Sequence, residues 1–103
     1  MRNTLGFALI FCIVAFASCR QEKKQFTIGV SQCSNDEWRS KMNMEMRNEA
    51  LFHQGVNLTI KTVNDDTEKQ IADIQSFIDL RVDLIIVSPN QSEPITPIVE
   101  KAY

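Results

Sequence analysis

The chain is poor in groups that perform covalent chemistry. It carries one histidine, His53, and three cysteines, with no Gly-rich phosphate loop and no spaced Cys or His set that could close on a metal. No metal, no cofactor and no catalytic residue is expected, so the chain reads as a non-enzyme. The densest polar cluster is Ser34-Asn35-Asp36-Glu37-Trp38-Arg39. It sets an aromatic plate beside a carboxylate and a guanidinium. An indole can stack on the apolar C–H face of a sugar ring, while Asp36 and Arg39 can make charge-assisted hydrogen bonds to its hydroxyls. The competing use of Trp38 is core packing against Met42. Asp65-Asp66 is a second acidic pair. It could hold a divalent cation in a flavodoxin-like enzyme or phosphoacceptor, or serve as turn and helix-cap chemistry. His53 reads as a partner of a helix C-terminus, and Cys33 has no spaced companion.

Composition narrows the partners. The 103 residues carry 11 Lys+Arg against 13 Asp+Glu, a formal charge of −2. That balance leaves no basic excess for phosphates, so a nucleic-acid partner is not expected. A hydrophobic content of 44% with only three Gly and three Pro excludes disordered and collagen-like chains. One small domain is the upper bound.

The first residues have the form of an export signal. Arg2 precedes the uncharged apolar run Leu5–Ala17, and small residues lead to Cys19. The run is shorter than the roughly 20 residues of a bilayer-spanning helix. Phe16-Ala17-Ser18-Cys19 resembles a bacterial lipobox, whose cysteine becomes the lipidated first residue. We therefore expect a signal peptide at 1–18, lipidation at Cys19 and a polar tether at 19–25 that holds a domain off the membrane. An uncleaved anchor, a plain secretory signal and a Cys19–Cys33 disulfide are the alternatives. Either anchor gives a membrane-attached location in the periplasm or cell envelope.

The elements behind the polar clusters alternate strand and helix three times. Phe26–Ser31 is β-rich. Ser34 and Glu37 have capping-box spacing, and Trp38, Met42, Met46 and Ala50, with Leu51 beside them, predict the apolar face of the first helix. Gly55 follows as its left-handed stop. Val56–Lys61 alternates apolar and polar and predicts a strand near a sheet edge. Thr67 and Gln70 have a second capping-box spacing, before Ile71, Ile74 and Ile78 at helical intervals. Val82–Val87 is almost continuously apolar, the pattern of a central strand covered on both faces. Pro94 or Pro97 suits the first turn of a third helix ending near Ala102. Repeats of this kind predict a three-layer, doubly wound parallel α/β sheet. In such sheets ligands bind beyond the carboxyl ends of the strands, here 31–34, 64–66 and 88–91.

The stretches IGVSQCSNDEWRSKMNMEMRNEA and VNDDTEKQIADIQSFIDLRVDLIIVSPNQSEPITPIVEKAY resemble the first half of lobe 1 of type I periplasmic binding proteins, the ribose- and galactose-binding class. The DLIIVSPNQSEP strand and loop carry most of the likeness. The DEWR loop is similar to sugar-sensing domains that Bacteroidetes place ahead of hybrid two-component histidine kinases. The resemblance spans 26–103 and implies part of a two-lobed carbohydrate receptor that closes about a hinge. It implies a sugar ligand, with Trp38 stacking, Asp36 and Arg39 as polar contacts, and Gln91 in the loop where many relatives have an acid. It also implies an output through a transporter permease or a kinase module.

Overall fold

The computed structural model describes residues 24–103. The expected signal peptide, Cys19 and most of the tether lie outside the described residues. The elements are β1 (Phe26–Gln32), α1 (Glu37–Phe52), β2 (Val56–Thr62), α2 (Thr67–Asp79), β3 (Leu84–Ser88) and α3 (Ser92–Ala102).

The three strands form one parallel sheet in the order β2-β1-β3. Phe26 pairs with Val56, and Ile28 with Leu84, so β1 is the middle strand. The chain steps from β1 to one side and then crosses to the other, which makes the sheet doubly wound, with the order reversing at β1. Alternate residues of β1 serve opposite layers. Gln32 reaches Asn43 of α1, whereas Ser31 reaches Gln70 of α2. Ile74 of α2 forms a core cluster with Ile95 and Ile98 of α3, so α2 and α3 share the second helical layer.

Gly29 shows how closely that layer approaches. A Cβ at this position would lie 2.6 Å from Cγ of the buried Phe77 ring, so only a residue without a side chain lets α2 seat on β1. Gly55 has φ +89, the left-handed region expected at the end of α1, and its carbonyl accepts from the Phe26 amide at 2.7 Å.

The structure refines the expected elements. Asp36, not Ser34, caps α1, and Asp66, not Thr67, caps α2; each carboxylate accepts the amide three residues on, at 2.9 Å. Of the apolar face predicted for the first helix, Met42, Met46 and Ala50 turn inward and are half-buried beside the buried Asn43, whereas Trp38 and Leu51 are exposed. The strand expected at Val82–Val87 starts only at Leu84, and within the three described strands β3 stands at an edge with Leu84 and Ile86 exposed. Of the two prolines expected to suit the first turn of α3, Pro94 occupies it and Pro97 lies further inside the helix. Among the three described strands β2 stands at an edge, as expected.

Candidate functional site

The carboxyl ends of the strands are tied into one platform by a polar network. Gln70, fully buried on α2, donates through Nε2 to Ser31 Oγ at 3.2 Å and to the Ser88 carbonyl at 2.8 Å. Its Oε1 accepts from the Asn90 amide at 2.9 Å. Asn90 Nδ2 then donates to the Asp65 carbonyl at 2.9 Å and to Thr67 Oγ1 at 2.7 Å. The Asp65 amide donates to the Cys33 carbonyl at 2.9 Å. The loops after β1, β2 and β3 are therefore cross-linked.

Three of the residues singled out from the sequence stand together where β1 passes into α1. Asp36 is the N-cap: Oδ2 accepts from Ser34 Oγ at 2.6 Å and Oδ1 from the Arg39 amide at 2.9 Å. Those two hydrogen bonds, the Ser34 hydroxyl first, hold its carboxyl below the ordinary carboxylate range. The carboxylate is ionised at neutral pH, and each oxygen keeps a free lone pair for a hydroxyl. Trp38 is 68% exposed, so it does not pack in the core. The Arg39 guanidinium carbon lies 5.2 Å from its ring centroid, a cation–π contact that covers part of the indole. Gln91, on the loop after β3, occupies the N-cap position of α3 without a side-chain cap bond and is exposed. Asp36, Trp38 and Arg39 form an open ledge in the first turn of α1, beyond the carboxyl end of β1, and Gln91 lies beyond the carboxyl end of β3. The grooves of about 270 and 340 Å³ lie instead along α3 and the outer edge of β3, and none of the four lines them.

The other candidates have local duties. Asp66 spends Oδ1 on the cap of α2. Asp65 adopts φ +55, and its backbone serves the loop cross-links. Among the described residues no three His, Cys, Asp or Glu side chains gather as a metal set. His53 pairs with Glu49 one turn back, at 2.9 Å. Cys33 has no disulfide partner among the described residues, and its Sγ lies 3.8 Å from Ser88 Oγ.

Residue reading missed Gln70 and Asn90, the residues that hold the platform. Gln70 looked like the end of a capping box. The available signal was its spacing: it precedes Ile74 by four and Phe77 by seven, on the buried side of α2. Asn90 gave no signal beyond its place in a loop. Gln32 and Asn43, a buried pair joined at 2.9 Å between β1 and α1, were missed as well.

No family model matches the chain. The ribose import binding protein RbsB of Bacillus subtilis (strain 168) is 31% identical over 81 residues, 78% of this chain and 26% of that protein. The fructose-binding periplasmic domain of the hybrid two-component system BT1754 superposes with a TM-score of 0.75 and 52% identity, over 77% of this chain and 26% of that one. The periplasmic binding protein component of the arabinose transporter of Shewanella sp. ANA-3 superposes with a TM-score of 0.61 and 29% identity, over 74% of this chain and 26% of that one. The chain thus spans about a quarter of the length of each relative. Its parallel sheet, with the strand order reversing at β1, and these three matches make the chain similar to part of the periplasmic sugar-binding proteins, over about a quarter of their length.

Proposed function

We propose that this chain is the carbohydrate-binding part of an exported, non-catalytic receptor, with the sugar held at the carboxyl edge of the sheet. The observation that carries the reading is the 52% identity to a fructose-binding periplasmic domain, across a stretch that includes the Trp38 ledge. Trp38 supplies the stacking plate, Asp36 an ionised acceptor and Arg39 a cationic donor. Gln91 contributes an amide from the neighbouring loop. These contacts are made on one lobe, and a facing lobe closing about a hinge completes the grip.

The identities also favour a signalling output. The sensor-domain relative is 52% identical, whereas the two transport-linked relatives are 29% and 31% identical. We assign the output to a kinase module, with delivery to a permease as the second reading. Export by residues 1–18, lipidation at Cys19 and a tether at 19–25 complete the proposal and place the receptor at the membrane on the periplasmic side.

The test is calorimetric titration of the intact protein with D-fructose, D-ribose and L-arabinose. Saturable binding of at least one pentose or hexose, with Mg²⁺ giving no heat, supports the receptor reading. Binding of Mg²⁺ with no response to any sugar overturns it in favour of an acidic-pair enzyme or phosphoacceptor.

A further inference from the structure

We infer that Gln70 is a positioning residue for the ligand ledge, acting on bound sugar through Gln91 without touching the sugar itself. The inference rests on the sugar-binding reading above. Gln70 is fully buried, yet the sequence around it is that of a core-facing helix position, flanked at helical intervals by Ile74 and Phe77. An apolar residue there would bury its side chain without the cost of desolvating an amide. The amide is kept where both its nitrogen and its oxygen are used. Nε2 bridges the ends of β1 and β3 at Ser31 Oγ and the Ser88 carbonyl, and Oε1 takes the Asn90 amide.

The third of these bonds gives the residue its specific consequence. The Asn90 amide belongs to the peptide group that immediately precedes the Asn90–Gln91 unit, so its acceptor fixes the path on which Gln91 is presented. Asn90 is held a second time by its own side chain, on the Asp65 carbonyl and Thr67 Oγ1. The loop is therefore pinned from β1, β2 and α2 at once. A side chain held in this way is preorganised, and binding costs less conformational freedom.

The experiment uses Gln70→Leu, which keeps the buried volume and removes all three bonds, together with Asn90→Ala, which cuts only the second hold. Amide hydrogen exchange is followed in each without ligand, and D-fructose affinity is measured by calorimetry. In Gln70→Leu the Asn90 amide should exchange at least about tenfold faster, while amides in the middle of β1 keep their protection. Affinity should fall about tenfold or more. A double-mutant cycle with Gln91→Ala supplies the readout that a merely structural role does not move. If Gln70 acts through Gln91, adding Gln91→Ala to Gln70→Leu costs little further affinity. Fully additive losses overturn the inference, and so does an unchanged Asn90 exchange rate. If Gln70→Leu fails to fold, Gln70→Glu decides: its protonated carboxyl can still donate to the Ser88 carbonyl, so affinity should be recovered as the pH is lowered. A flat pH profile in that variant overturns the proposal. A wild-type protein that binds no sugar removes the reading beneath, whereas the exchange measurement still judges the pinning of the loop.

Discussion

Arg39 and Trp38, adjacent in the first turn of α1, fold back on one another so that the guanidinium carbon lies 5.2 Å from the indole centroid. Adjacent helical positions point about 100° apart, so this contact comes from the long arginine side chain bending over its neighbour. The stack restrains an indole that is otherwise exposed. Trp38→Ala should weaken sugar binding by about 1–3 kcal/mol, the worth of burying and stacking such a ring. It should change folding stability by no more than about 0.5 kcal/mol, as expected for an exposed position. Calorimetry and a melting curve on the same variant check both halves. A large drop in melting temperature with unchanged affinity contradicts the assignment.

Asp36 does two jobs that substitutions can separate. As N-cap it needs only an oxygen facing the Arg39 amide, which asparagine also offers. As a sugar contact it uses its charge. Asp36→Asn should therefore keep α1 capped and lose less stability than Asp36→Ala while weakening sugar affinity, and Asp36→Ala should damage both. Equal affinities for wild type and Asp36→Asn would remove Asp36 from the site.

Strand–helix alternation was legible because each element carries its own short-range signal. The ends were less so, and the caps show why. Ser34 and Asp36 both offer an oxygen near the start of α1, and the spacing to Glu37 pointed to Ser34. In the fold Ser34 instead donates to Asp36, and the carboxylate takes the cap. For β3 the reason is different: a continuous apolar run reports what a strand's side chains can accept as neighbours, and within residues 24–103 Leu84 and Ile86 remain exposed. The ledge residues were readable because Asp36, Trp38 and Arg39 lie within one turn. The network beneath them was not, because Gln70, Ser31, Ser88 and Asn90 meet only when three strand ends are side by side.

The Asp83–Thr27 clasp predicts an acid sensitivity. Asp83 Oδ2 accepts from the Thr27 amide at 2.7 Å and from Thr27 Oγ1 at 2.9 Å, joining the approach to β3 to the start of β1. Those bonds, the backbone amide first, hold its carboxyl below the ordinary value of 3.8. A carboxyl depressed on folding contributes stability that is present above the unfolded value and is lost as the pH falls through the folded one. Asp36 is depressed in the same direction. Stability should therefore fall as the pH drops below 3.8, and Asp83→Asn should flatten part of that fall in urea melts recorded from pH 5 to about pH 2. An identical acid limb in the variant would show that the clasp contributes nothing.

Cys19 can be tested apart from the fold. Labelled palmitate should enter the protein in a bacterial host, and Cys19→Ser should abolish the label. Retained label in that variant contradicts lipidation at this residue. Loss of label with unchanged sugar affinity is the expected pair of results, because the tether separates the anchor from the ledge.

Gly29 offers the most stringent check on the packing that carries the site. It lies two residues before Ser31 on the same face of β1, opposite Phe77 of α2, and an added Cβ would come within 2.6 to 2.9 Å of three ring carbons. Phe77 is 1% exposed and has no open side to move into, so the methyl group must push α2 away from the sheet. Gly29→Ala should cost about 1–3 kcal/mol by overpacking. Because Gln70 sits two turns before Phe77 on α2, the same displacement should lengthen the Gln70–Ser31 bond of 3.2 Å and speed exchange of the Asn90 amide. Shortening the ring relieves the clash without helping the sheet otherwise. Phe77→Leu alone should destabilise by about 1–3 kcal/mol through lost burial, yet in the Gly29→Ala background it should cost less or restore stability. Urea melts of the two single variants and the double variant measure that coupling, and strictly additive losses would show that the two residues do not meet.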